Sequence, residues 1–275
     1  MFNSQNSHKR KKTMRKLQFL ITLILITCSF LQVASPTSPF VPSAIREAKS
    51  LLREGSITSD TMLIIKAKDI LQKIHEQNST HTTLYFLAQS EYELARIAFA
   101  LKDDKKFDIH YNAAVQLTEK LLEEKQDWSE PYALLALLYG YKIAKNNFTA
   151  VTLGPKSYFL AQRAIELDDK NPRAWFVWGT IKFHMPAVFG GGTKDAIDAF
   201  KKSIELFRMQ PQSDSLAPDW GYLDALLWLG WAYEKEERLK EALAFYKNAL
   251  DTYPQANWIK SSFLIPLQKR HGNIE

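Results

Sequence analysis

The chain has a single cysteine, Cys28, which lies inside an apolar segment near the N-terminus. The rest of the sequence therefore has no disulfide, no thiolate metal site and no thiol nucleophile. The histidines form no His-Glu-x-x-His zinc helix, because His75 and His81 stand six residues apart and fall on different helix faces. No Gly-x-Ser-x-Gly elbow or Ser-x-x-Lys pair is present. These absences predict a protein that is not an enzyme and binds no cofactor or metal.

Excess positive charge is confined to one end of the chain. The sequence has 36 basic and 30 acidic side chains, and six of the basic ones and no acidic one lie in the first 34 residues. The remainder is therefore balanced in charge. It has no helical stripe of Lys and Arg that would neutralise phosphates, so nucleic acid is not a predicted partner.

Residues 1–35 have the composition of an export signal or a membrane anchor. A basic stretch precedes an apolar run at residues 17–33, and the small residues Ala34 and Ser35 follow. Met14 is an alternative start to Met1, because translation from it would give an ordinary short leader.

Three fates of this segment remain open. One is simple cleavage, and a second is lipidation of Cys28, since Leu25-Ile26-Thr27-Cys28 resembles a bacterial lipoprotein box. The third is an uncleaved anchor, because 17 apolar-leaning residues are at the lower limit for spanning a bilayer. All three place the following domain outside the cytoplasm. The lack of cysteine in that domain favours a bacterial periplasm or envelope, with membrane contact only through the N-terminal segment.

Helical patterns fill residues 43–275, which follow a linker at residues 36–42. The clearest unit is 223–256, with matched positions Leu226, Leu229, Gly230, Tyr233, Ala242, Tyr246 and Pro254. Apolar residues at intervals of three and four share one helix face, and small residues let a second helix approach that face. This is the spacing of the 34-residue tetratricopeptide (TPR) repeat.

Looser repeats precede this unit at residues 131–169 and 172–207, and a capping helix is predicted at about 257–270. No segment shows the alternation of a β-strand. The predicted fold is all-α, a right-handed α-α superhelix of TPR-like helical hairpins.

Two insertions, at residues 146–155 and 185–193, separate the paired helices of two repeats. The second contains Gly190, Gly191 and Gly192 and superficially resembles a phosphate loop, but Lys194 follows Thr193 and no strand leads in. We interpret it as a turn in which the glycines adopt positive φ, Thr193 caps the next helix and Asp195 favours its N-terminus. The alternative is a ligand-binding loop.

Several short segments resemble exported TPR proteins of Bacteroidetes-type bacteria. They are LGPKS at 153–157, AIELD at 164–168 with NPRA at 171–174, PAVFGGG at 186–192, and WGY at 220–222 before ALLWLG at 225–230. The likeness covers about residues 130–256. The resemblance implies the TPR fold and an exported location, and it carries over no catalytic residue.

In a TPR superhelix the first helix of each hairpin lines the concave surface. That geometry predicts a partner-binding set of Tyr92, Tyr132, Tyr139, Arg173, Phe176, Phe183 and Trp231. Their aromatic content suits a groove that holds a peptide or protein. The alternative is that these rings only pack between neighbouring helices.

The predicted function is therefore a non-enzymatic binding or scaffold module of the cell envelope, with a protein or peptide partner. The alternative is a small-molecule or lipid carrier accessory to a solute transporter. In that case residues 146–155 and 185–193 would roof an apolar pocket. The identity of the partner and the oligomeric state stay open.

Overall fold

A computed structural model of the chain describes residues 40–210 and 216–272. Within these ranges there are eleven α-helices and no strand. The helices are α1 (Phe40–Thr58), α2 (Thr61–Gln77), α3 (His81–Ala100), α4 (Asp104–Glu124), α5 (Ser129–Lys145), α6 (Ala150–Leu167), α7 (Pro172–His184), α8 (Thr193–Met209), α9 (Tyr222–Lys235), α10 (Leu239–Thr252) and α11 (Ile265–His271). The predicted signal or anchor at 1–35, with Cys28, lies outside the described residues, and α1 begins inside the predicted linker.

Consecutive helices pair as five antiparallel hairpins, from α1–α2 to α9–α10. The first helices of successive hairpins also contact one another, which places α1, α3, α5, α7 and α9 in one inner layer. A π-helical turn at Lys260–Leu264 and α11 follow the last hairpin. The prediction of an all-α, right-handed superhelix of helical hairpins is confirmed.

Small residues of the repeat pattern let the two helices of a hairpin touch. A Cβ atom added to Gly179 in α7 would lie 2.5 Å from the ring of Phe200 in α8. The equivalent distance from Gly230 in α9 to the ring of Tyr246 in α10 is also 2.5 Å. Any larger side chain would force the two helices apart. The close approach of the helices therefore explains why the repeat pattern has a small residue at this position.

The first predicted insertion is mostly helical. A 3-10 turn at Asn147–Thr149 leads into α6, which begins at Ala150 and runs through Pro155. The prediction that the insertion separates the paired helices up to residue 155 was wrong. A proline within a helix removes only one hydrogen bond, here to the carbonyl of Val151, so α6 can run through Pro155. Both Val151 and Pro155 are exposed, so this turn of α6 lies at the surface, where solvent can replace the lost hydrogen bond.

The second predicted insertion is a turn in which each glycine has a different role. Gly190 adopts a left-handed conformation with φ of 82°, as predicted, and Gly191 has no room for a Cβ atom, which would lie 1.8 Å from the carbonyl oxygen of Met185. Gly192 is extended. It also occupies the N-cap of α8, so the prediction that Thr193 caps this helix was wrong, and Thr193 is the first helical residue.

The first hairpin contacts segments near the other end of the chain. The indole Nε1 of Trp258 donates a hydrogen bond to the carbonyl of Ile57 in α1, at 2.8 Å. Lys49, also in α1, donates to the carbonyl of Ala217 and lies 3.5 Å from the carboxylate of Asp219. The superhelix is thus closed by contacts between its first and last parts. No helix in the described ranges has the length and apolarity needed to cross a membrane.

Candidate functional site

The concave face of the superhelix is occupied by the chain's own residues. Trp220, in the segment between α8 and α9, is buried there, with its ring centroid 5.7 Å from that of Tyr92 and 6.4 Å from that of Phe176. Its indole Nε1 donates a hydrogen bond to the hydroxyl of Tyr85 at 2.8 Å. The inner helices therefore enclose an aromatic core where the sequence predicted an open groove.

A buried polar network continues from Trp220 across the inner layer. The hydroxyl of Tyr85 in α3 donates to Glu130 in α5 at 3.2 Å, and Glu130 forms a 2.7 Å ion pair with Arg173 in α7. Burial, and then the negative charge of Glu130, hold the pKa of Tyr85 well above its usual value, so the phenol stays neutral and donates. The network connects three inner helices to the segment that precedes α9, which gives it a structural role.

The predicted partner-binding residues divide by exposure. Five of them are buried, each at most 9% exposed: Tyr92, Tyr139, Arg173, Phe176 and Phe183. Tyr132 is partly buried, and its hydroxyl donates to the carbonyl of Gln126 at 3.2 Å. Trp231 is 41% exposed. In this structure a partner can reach Trp231 and the edge of Tyr132, while the buried five contact other parts of the chain.

Trp231 belongs to a group of four rings, here called the aromatic cluster: Phe183 and His184 of α7 with Trp228 and Trp231 of α9. The centroid of Trp231 lies 5.0 Å from those of both Phe183 and Trp228. The centroid of His184 lies 5.4 Å from that of Trp228 and 6.1 Å from that of Trp231. Contacts between rings at these distances hold the exposed indole in place.

The charge beside the aromatic cluster is positive. The ammonium of Lys235 stands 4.4 Å from the centroid of the Phe183 ring, within the range of a cation–π interaction. Burial, and then the charge of Lys235, lower the pKa of His184 below its usual value, so its imidazole is neutral at neutral pH. The cluster thus offers apolar ring surface with one cation at its side, which suits an apolar side chain with a carboxylate nearby.

Two members of the aromatic cluster were missing from the predicted set. Trp228 precedes Trp231 by three residues in α9, a spacing that places both on one helix face. That interval was a usable signal in the sequence. His184 follows Phe183 at the end of α7. Its contact with α9 depends on the angle at which the two helices cross, and the spacing of residues in the sequence does not determine that angle.

A small cleft of about 40 Å³, partly open to solvent, lies elsewhere on the molecule. Here called the polar cleft, it is bordered by α1, α3, the start of α9 and the segment after α10, and Gln89, Asp219, Trp220, Asp224, Tyr253 and Trp258 contribute to its walls. Neither of the two predicted insertions contributes to it. Across the described parts of the chain, no group of three His, Cys, Asp or Glu side chains is arranged to hold a metal ion.

Residues 224–256 match the family model of the tetratricopeptide repeat. This part of the chain, which contains most of α9 and all of α10, is therefore similar to a TPR repeat. A comparison with curated protein sequences found no match. Similar solved structures do exist, and they include TPR proteins.

The structure of TTC0263, a thermophilic TPR protein of Thermus thermophilus, is similar to this chain with a TM-score of 0.56 and 16% identity, covering 80% of this chain and 98% of the other. The HusA haemophore from Porphyromonas gingivalis has a TM-score of 0.52 and 20% identity, with coverage of 74% and 96%. Cut9 with Hcn1, from the APC/C, has a TM-score of 0.56 at 13% identity and covers 92% of this chain and 47% of the other. These likenesses show the fold.

Proposed function

We propose that the protein is a non-enzymatic binding scaffold that holds a protein or peptide partner at the aromatic cluster. The observation that carries this proposal is the 41% exposure of Trp231 within a packed group of four rings. Binding energy at protein interfaces concentrates in a few aromatic anchors, with Trp prominent among them. Because its neighbours already hold the Trp231 ring, docking a partner on it loses little side-chain entropy.

The partner surface follows from the chemistry of the aromatic cluster. An apolar or aromatic side chain would pack on the exposed face of Trp231, and a carboxylate next to it would meet the ammonium of Lys235. Because Trp220 and its neighbours fill the concave face, we propose that the partner binds at the exposed aromatic cluster on α7 and α9 and not in the interior of the superhelix. A peptide or helix of this composition is the occupant that we propose.

We further propose that the protein works in the bacterial periplasm or envelope. The support is the sequence of residues 1–35, in which basic residues precede an apolar run, together with the resemblance to exported TPR proteins. Cleavage, lipidation at Cys28 and retention as an anchor are all compatible with a scaffold in that compartment.

The carrier function has less support. A lipid or other apolar molecule needs an apolar cavity, whereas the polar cleft is lined by Arg53, Arg96, Asp219 and Asp224 among others. The concave interior, which was the other place for such a ligand, is filled by Trp220 and its neighbours.

The test is site-specific photocrosslinking in living cells with the full-length chain. A photoreactive phenylalanine analogue at position 231 should give a covalent adduct with a polypeptide. The matched control is the same analogue at Phe159, which is 64% exposed and lies on α6, outside the aromatic cluster. Adducts of equal yield and size at both positions would contradict the assignment of the site.

Once the adduct is identified, Trp231→Ala should weaken binding of that polypeptide by about 1–3 kcal/mol, or roughly 5- to 150-fold in Kd. Phe159→Ala should leave the Kd unchanged. Thermal melting of each variant separates binding from folding. If Trp231→Ala melts early and binds normally, the ring has only a packing role and the proposal is wrong.

A further inference from the structure

A buried amide in the wall of the polar cleft lacks a hydrogen-bond partner. Gln89 of α3 is 2% exposed, and its Oε1 accepts no hydrogen bond from any described residue. Leaving a buried acceptor unpaired costs roughly 1–3 kcal/mol. An incoming N–H group would remove that cost, so the wall favours a ligand that donates hydrogen bonds.

Carboxylates lie in the same cleft. Asp219 and Asp224 both line it, and Asp219 is 3.5 Å from the ammonium of Lys49. Asp224 is partly buried and forms no ion pair with any other residue in the described ranges. A buried carboxylate without a paired cation favours a positively charged ligand, because desolvation is then offset by direct attraction.

Burial raises the pKa of the Asp224 carboxyl and the charge of Arg96 acts to lower it, but Arg96 and Asp224 form no ion pair among the described residues. Arg96 donates to Glu93 at 2.8 Å and to the carbonyl of Ser56 at 3.0 Å, so its guanidinium is already engaged. Arg53 is exposed at the rim and would repel a second positive charge on a ligand. The cleft therefore suits a ligand with one cationic group.

Aromatic side chains form the remaining walls. Trp220, Tyr253 and Trp258 line the cleft, and such rings attract a cation through their faces and cover the aliphatic carbons attached to it. The indole Nε1 of Trp258 is itself bonded to the carbonyl of Ile57, which fixes the position of that ring. Rings, carboxylates and the amide oxygen thus converge from four parts of the chain.

We propose that the polar cleft binds a small organic cation with a primary ammonium group on a short apolar chain. The N–H groups bond to Gln89 Oε1 and to the carboxylate of Asp224, and the chain packs on the indole and phenol rings. A quaternary ammonium ion of similar size has the charge and lacks the N–H donors, so the site discriminates against it. This site shares no residue with the aromatic cluster and does not depend on the scaffold proposal.

The experiment is titration calorimetry of the full-length chain in detergent with n-butylammonium and tetramethylammonium as probes. Butylammonium should bind at least tenfold more tightly than tetramethylammonium. Asp224→Asn and Gln89→Met should each weaken butylammonium binding at least tenfold. The matched controls are Asp195→Asn, which removes an exposed carboxylate in the first turn of α8, and Trp231→Ala, and both should bind as the wild type does.

Three outcomes would overturn the proposal: equal affinity for the two probes, unchanged affinity in Asp224→Asn, or no heat of binding at millimolar butylammonium. If Gln89→Met melts below the wild type, the affinity of Asp224→Asn for butylammonium is the test of the proposal, because this substitution changes one charge and little volume. The indole N–H signals of Trp220 and Trp258 in NMR spectra give the location. They should shift with butylammonium, and the signal of Trp231 should not.

Discussion

Replacing Asp224 with asparagine should stabilise the folded protein at neutral pH. Burial raises the pKa of the Asp224 carboxyl to about 6, against the opposing effect of the Arg96 charge. In an unfolded chain the value is about 3.9. The difference of about 2 pKa units corresponds to at most about 3 kcal/mol of stability lost in the ionised wild type. An asparagine carries no such penalty, so a gain on the order of 1–3 kcal/mol is expected at pH 7.

The contribution of Asp224 to the free energy of unfolding depends on pH. Because the folded state holds the Asp224 proton more tightly than the unfolded state, this group's contribution is most favourable below about pH 4. It declines as pH rises from about 4 to about 6 and stays constant above that. The advantage of Asp224→Asn should therefore be present at pH 7 and vanish near pH 4.

Urea unfolding followed by circular dichroism, at pH 7 and pH 4, measures the free energy of unfolding of both proteins. Asp195→Asn is the control, since that carboxylate is exposed and its removal should not stabilise the chain. The reasoning is refuted if Asp224→Asn is less stable than the wild type at pH 7. It is also refuted if the variant's gain in free energy of unfolding is the same at pH 7 and pH 4.

Three further changes have expected outcomes. Gly191→Ala should lower the free energy of unfolding by roughly 1–3 kcal/mol, because its Cβ would clash with the carbonyl of Met185; Gly192→Ala, with no atom within 4 Å, is the control. Glu130→Gln should lower the free energy of unfolding by about 3–5 kcal/mol, because it leaves the Arg173 charge buried without its partner. Adding Arg173→Met should recover part of that loss, as measured by chemical denaturation. If the effects of the two substitutions are purely additive, Glu130 and Arg173 are not coupled. Protease added to intact cells should leave the repeat domain uncut until the outer membrane is opened. Palmitate labelling that disappears in Cys28→Ala would identify lipidation. A soluble cytoplasmic pool of the full-length chain would contradict the envelope location.

The helical hairpins were predictable because their cause is local. Intervals of three and four residues define a helix face, and Gly179 and Gly230 mark where a partner helix touches it. Two predictions from local sequence preferences were wrong, and both errors have a physical reason. Pro155 and Thr193 have strong average preferences, as a helix breaker and a cap, which the surrounding structure overrides.

The filled concave face was not predictable from repeat spacing. The repeat geometry predicts positions for Tyr92 and Phe176, but it contains no information about the segment between α8 and α9 that brings Trp220 beside both rings. Trp220 and its hydrogen-bond partner Tyr85 are 135 residues apart. The polar cleft depends on contacts of the same kind, between Ile57 and Trp258.

The hydrogen bond between Trp258 and Ile57 also bears on how the protein folds. In an open array each repeat contacts only its neighbours, so the end units fray first and the chain unfolds in stages. Here a contact between residues 201 positions apart makes α1 and the C-terminal segment depend on each other. Slow amide exchange in α1, matching that of α9, is the expected signature of a single cooperative unit. The loop that must close to form this contact also predicts slower folding than that of a linear repeat protein of equal length.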